Sequence, residues 1–267
     1  MTQPQSLFDV AINGEYMPSR RVPHADIIVA AWQRDSAAVR EERLPAELAY
    51  GAGEHERLDV FAPEGAARAT LLFIHGGYWQ AFYKDTFSYL APPLLGAGLR
   101  VGVMSYDLTP TVTLARIVGQ ARRATAFVGA RYPGPLIVAG HSAGAHLAAM
   151  VHATDWAAEG LPGVTLTGGI GVSGLYDLGP LRRTELQPVL RLSETEARAL
   201  SPAFLRPTSA APFTVAVGED ESPSFLWQSQ QLADAWPGVA SSVRQLPGRH
   251  HFDAPDELLG LALEMLG

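Results

Sequence analysis

The chain has 267 residues, 47% hydrophobic and 18% charged, with 27 acidic against 20 basic side chains and no cysteine. A net charge of −7 argues against a nucleic-acid partner or an anionic membrane. Without cysteine, disulfides, zinc-thiolate sites, iron–sulfur clusters and thiol catalysis are excluded.

The length suits a single α/β domain over 1–267, large enough to fold without staples. The opening MTQPQSLFDVAING has no basic segment followed by an apolar one, and no apolar run approaches a membrane span. A cytoplasmic protein with a small-molecule substrate and no membrane partner is expected; its oligomeric state stays open, a homodimer included. Residues 1–45 contain one helix-like stretch, IIVAAWQRDSAAVREE. ERLDVFAP (56–63) and ATLLFIHGG (69–77) read as strands ending in turns, and DTFSYLAPPLLGAGL (85–99) as a helix. RVGVMSYDL (100–108) is a strand, 111–132 a long amphipathic helix, PLIVAGHS (135–142) a strand and AGAHLAAMVHAT (143–154) a helix. Further strands are expected at 165–174, 212–220 and 241–248, with helices at 224–236 and 255–266. Apolar β-branched runs without alternation, interleaved with helices, predict a doubly wound, mostly parallel sheet buried on both faces. Two segments break the rhythm, 1–45 and 175–206. Both are expected to cap the carboxyl edge of the sheet, where ligands bind in such folds.

Gly140-His141-Ser142-Ala143-Gly144 fits G-x-S-x-G, with a strand before it and a helix after it. That context makes Ser142 the candidate nucleophile, on a tight turn whose flanking positions tolerate only glycine. Ile74-His75-Gly76-Gly77-Tyr78-Trp79 ends an earlier strand. The amides of Gly76 and Gly77, with that of Ala143, are candidates for an oxyanion hole, while His75 reads as structural. An acid and a histidine should follow the serine in that order. PFTVAVGEDES offers Glu219, Asp220 and Glu221, and PGRHHFDAP offers His250 and His251. Adjacent histidines seldom serve one ion and no third ligand is spaced nearby, so no metal or cofactor is expected. Tyr78, Trp79, Phe82 and Tyr83 are candidates to pack an aromatic substrate, with ordinary core packing as the alternative.

With these motifs in hand, the chain resembles the α/β-hydrolase superfamily and, more narrowly, the kynurenine formamidase (arylformamidase) group. The likeness rests on HGGYW (75–79), SYDLTPTVTLARIVGQ (105–120), GHSAGAHLAAM (140–150), SGLYDLGPL (173–181), GEDESPSFLWQSQQLADAW (218–236) and HHFDAPDEL (250–258). It covers most of the chain from about residue 55, and the first 45 residues match only loosely. The resemblance implies Glu221 as the acid, three residues past the strand-ending glycine, where relatives usually carry Asp. It also implies His251, immediately before Phe252, as the base, with Asp220 and His250 as the alternatives. The implied reaction is hydrolysis of N-formylkynurenine to kynurenine and formate. A general carboxylesterase for small aryl or alkyl esters is the nearest rival. An inactive scaffold used for binding is a third reading, but it would be expected to have lost a member of the Ser, acid and His set.

Overall fold

The computed structural model describes residues 9–161 and 163–267. Three helices precede the sheet: α1 (Val10–Glu15), α2 (Pro18–Arg21) and α3 (Ala25–Glu42). The strands β1 (Ala46–Ala49), β2 (Arg57–Phe61) and β3 (Ala69–Ile74) follow, then α4 (Ala91–Gly96) and β4 (Leu99–Met104). Next come α5 (Leu114–Arg131), β5 (Leu136–His141), α6 (Ala143–His152) and β6 (Gly168–Val172). The short helices α7 (Gln187–Leu190) and α8 (Glu194–Ala199) lead to β7 (Phe213–Gly218), α9 (Pro223–Ala235), β8 (Arg244–Leu246) and α10 (Leu258–Leu266).

The eight strands form one sheet in the order β1-β2-β4-β3-β5-β6-β7-β8. From β4 to β8 neighbours run parallel. β1 and β2 are antiparallel, joined by a short turn rather than a crossover helix, so the parallel rule stops at that edge. β1 itself was invisible to apolar periodicity, because its residues are mostly exposed on an edge. β3 and β5 are buried at every position, as continuous apolar runs require. α5 buries Leu114, Ile117, Val118, Ala121, Ala124 and Val128, a helical stripe that packs beside α6.

The helix expected over 85–99 is split. Residues Lys84–Leu90 form a 3-10 helix and only Ala91–Gly96 an α-helix. Pro92 and Pro93 have no N–H to donate to the preceding turn, so one continuous α-helix cannot form there. The 3-10 stretch is the seat of α3. Ser36 Oγ donates to Thr86 O at 2.8 Å and accepts from Tyr89 N–H at 3.0 Å. Trp32 stacks on Tyr89 with ring centroids 6.0 Å apart. Arg40 and Lys84 both meet the fully buried Asp59 carboxylate, tying α3 and the 3-10 helix to β2.

The two off-rhythm segments do different things. Of residues 1–45, residues 1–8 lie outside the described residues; α2 and α3 share a cavity wall with Ser142. The 175–206 excursion buries Leu175, Tyr176, Leu178, Leu181 and Leu186 and grips α1 from the side. There Asp9 N–H donates to Arg183 O, and Glu185 N–H to Asn13 Oδ1. No helix among the described residues is long and apolar enough to cross a membrane.

Candidate active site

β5 ends at His141 and α6 begins at Ala143, which leaves Ser142 alone on the corner at φ 55°, ψ −119°. Such a backbone is costly for any residue but glycine. Neighbouring backbone explains the flanking glycines. A Cβ on Gly140 would lie 2.1 Å from Gly144 O, and one on Gly144 only 1.9 Å from Ile74 O. Ser142 N–H donates to Val172 O at 2.8 Å, pinning the corner to β6. Ala143 opens α6, where the first amides have no partner within the helix and the dipole favours negative charge.

The loop after β3 turns back through a run of left-handed residues: Gly77 (φ 103°), Tyr78 (50°), Trp79 (57°) and Phe82 (71°). A Cβ on Gly76 would sit 3.1 Å from Ser142 Cβ, so the loop lies directly against the serine. His75 anchors its start, stacked between Tyr106 (4.2 Å) and Phe87 (5.5 Å), its Nδ1 donating to Gly76 O at 2.8 Å. Complete burial pushes the His75 imidazole down to about 4, so it is neutral. Tyr106 adds a hydroxyl donated to His75 O at 2.9 Å.

Opposite stand the acid and histidine loops. Glu221 Oε2 accepts from His251 Nδ1 at 2.7 Å, and both side chains are buried. Glu221 Oε1 accepts from Gly218 N–H at 3.0 Å and from the Ser173 hydroxyl. Asp220 is exposed and His250 is turned to its own loop, 2.9 Å from Asp253 Oδ1. Among the described residues neither side chain hydrogen-bonds to Ser142, Glu221 or His251; together they line a recess with Arg21. His141 Nε2 donates to the main-chain O of His251 at 2.9 Å, with the two rings 4.7 Å apart. Burial holds His141 well below the usual imidazole range, so a neutral ring backs His251. Phe225 packs on the other ring contact at 4.6 Å.

Ser142, His251, Gly76 and Gly77 share the wall of one cavity of about 640 Å³. Of the four aromatic candidates, Tyr78 and Phe82 line it. Trp79 and Tyr83 do not, and Trp79 sits where core packing, the alternative reading, would put it. Trp79 is fully buried, edge-on to His146 at 5.0 Å, and Tyr83 stacks on His55 at 4.5 Å. The consecutive left-handed residues of this loop decide which ring faces inward, and sequence periodicity carries no record of that. The cavity also takes Pro18, Val29 and Trp32 from α2 and α3, but none of its lining comes from 175–206. Sequence reasoning missed Ser173 and the backing role of His141. Their signals in the sequence, a serine opening SGLYDL and the residue before Ser142, name no partner. Among the described residues no three His, Asp or Glu side chains gather as a metal site would require.

Residues 71–261 match the alpha/beta hydrolase family. Kynurenine formamidase of Danio rerio is 33% identical over 95% of this chain and 94% of its own length. That of Salmo salar is 33% identical over 82% and 80%, and that of Drosophila melanogaster 31% over 79% and 75%. A solved structure described as a candidate thioesterase, from Silicibacter sp. TM1040, superposes with a TM-score of 0.85 at 31% identity, covering 93% of this chain and 94% of that one. The carboxylesterase EstE1, from a metagenomic library, shares the fold at a TM-score of 0.68 and 21% identity over 93% and 96%. The chain therefore belongs to the alpha/beta hydrolase family and, within it, stands with the kynurenine formamidases.

Proposed function

We propose that this chain is a serine hydrolase of formyl amides, with N-formylkynurenine as substrate and kynurenine and formate as products. The observation that carries the reading is the 2.7 Å hydrogen bond from His251 Nδ1 to Glu221, behind a ring that shares a cavity wall with Ser142 on its strained corner. With the Nδ1 proton committed to the carboxylate, Nε2 keeps its lone pair for the Ser142 proton. Ser142 Oγ adds to the formyl carbon, and the charge on oxygen is met by the amides of Gly76, Gly77 and Ala143. His251 then gives its proton to the aniline nitrogen, the C–N bond breaks, and kynurenine leaves. Water activated by the same ring releases formate from Ser142. Glu221 orients the ring and stabilises the imidazolium.

The formyl group is small and its leaving group large. A cavity of about 640 Å³ with Tyr78, Phe82 and Trp32 in its wall suits a planar aromatic leaving group. α1 to α3 are proposed as its cover, and 175–206 as the buttress that keeps α1 in place. The similarity to a candidate thioesterase favours a second reading, hydrolysis of esters or thioesters by the same residues. Rates on N-formylkynurenine, formanilide and phenyl acetate with one preparation separate the two. N-formylkynurenine should lead in kcat/KM. If phenyl acetate leads tenfold or more, the ester reading replaces the first.

A further inference from the structure

Ser173 follows β6 at φ 55°, is fully buried, and its hydroxyl donates to Glu221 Oε1 across 48 residues of sequence. Its own N–H donates to Ala216 O at 2.8 Å, so its place between β6 and β7 is fixed by the sheet. The backbone there suits glycine, yet the chain carries a serine. A carboxylate has two oxygens, and Glu reaches one methylene further than Asp, with one more torsion to hold. On Oε1 it meets two donors, Gly218 N–H at 3.0 Å and the Ser173 hydroxyl. Together they set the rotation of the carboxylate that leaves Oε2 facing His251 Nδ1. Gly218 N–H alone is one point of attachment, about which a carboxylate can swing.

We infer that Ser173 is a positioning residue: its hydroxyl orients the longer Glu221 side chain so that His251 is presented to Ser142. This rests on the serine reading above. It does not depend on which acyl compound is the substrate.

The substitutions Ser173→Gly and Ser173→Ala in the full chain separate positioning from structure. Glycine removes the hydroxyl and relieves the left-handed backbone; alanine removes the hydroxyl and keeps the strain. Three quantities are read: the rate at which a fluorophosphonate adds to Ser142, followed by mass; kcat and KM on p-nitrophenyl acetate and N-formylkynurenine; and Tm. Ser173→Gly should melt within about 5 °C of wild type. Its kcat and labelling rate should fall about 10- to 100-fold, the scale of one hydrogen bond to a charged group, with KM within about twofold. Ser173→Ala should lose as much rate and melt lower than the glycine variant. A fall of less than about fivefold in the glycine variant, or a change confined to KM, overturns the inference. So does failure of both variants to fold, which would make the hydroxyl structural. If the wild-type chain resists the label at Ser142, the serine reading falls and this one with it. If only N-formylkynurenine is refused while p-nitrophenyl acetate still reports the loss, the substrate reading alone falls.

Discussion

Gly144 lies one residue into α6, where the helix passes close beneath the end of β3. A Cβ placed on it would be 1.9 Å from Ile74 O, 2.5 Å from Ile74 C and 2.6 Å from His75 O. All three are backbone atoms, two in Ile74 at the end of the buried central strand β3 and one in His75 just after it, so no side-chain rotation relieves the overlap. Ordinary contact begins near 3.4 Å, which asks for a separation of about 1.5 Å between helix and strand. Overpacking of this kind costs about 3 kcal/mol or more. At roughly 2–4 °C per kcal/mol, Gly144→Ala should melt some 6–12 °C below wild type. The strand that must yield leads straight into Gly76 and Gly77, opposite Ser142. A misplacement near 1 Å there should lower kcat about 10²-fold. Gly260→Ala supplies the control. Its Cβ meets nothing within 4 Å inside α10, so it should gain about 0.5–1 kcal/mol and keep full activity. Melting curves and kcat on one ester and one formamide measure both effects. A Gly144→Ala protein that melts within about 2 °C of wild type with its rate intact would refute the close-approach argument.

The remaining predictions concern the site and its buried histidines. Ser142→Ala should lose at least about 10³-fold in kcat, and a fluorophosphonate should add mass at the peptide holding Ser142 and at no other. Glu221→Gln should cost far more activity than Asp220→Asn, because only Glu221 meets His251; the opposite ranking would exchange their roles. His250→Gln should keep most of the rate while His251→Gln loses it, since His250 bonds to its own loop. Burial lowers His75, His146 and His152 to about 4. The unfolded chain binds those protons from about pH 6.5 downward and the folded one does not. Stability is thus fully present above about pH 6.5 and falls as the pH drops toward 4, by up to about 1.4 kcal/mol per pH unit for each ring. Urea unfolding at pH 7 and pH 5 measures the slope, and NMR signals of these rings titrating near 6.5 would refute its cause.

Those elements whose making is local could be read from the sequence. The run PLIVAGHS followed by AGAHLAAM requires a buried strand and a helix, and only glycine at 140 and 144 lets the two meet at Ser142. The same holds for the two glycines in the loop after β3 and for the amphipathic stripe of α5. The Glu221 and His251 positions came from resemblance, because GEDES and RHHFD each offer neighbours of identical chemistry. Tertiary structure decides between those neighbours: the Gly218 turn sends Glu221 inward and Asp220 to solvent, and His141 fastens the carbonyl of His251. It alone brought Ser173 to Glu221, Trp32 to the cavity wall, and Trp79 into the core rather than the site. Periodicity and local turns record what a residue needs from its neighbours in sequence. Contacts across 48 or 110 positions are set by how strands stack in the sheet, and no single segment carries that information.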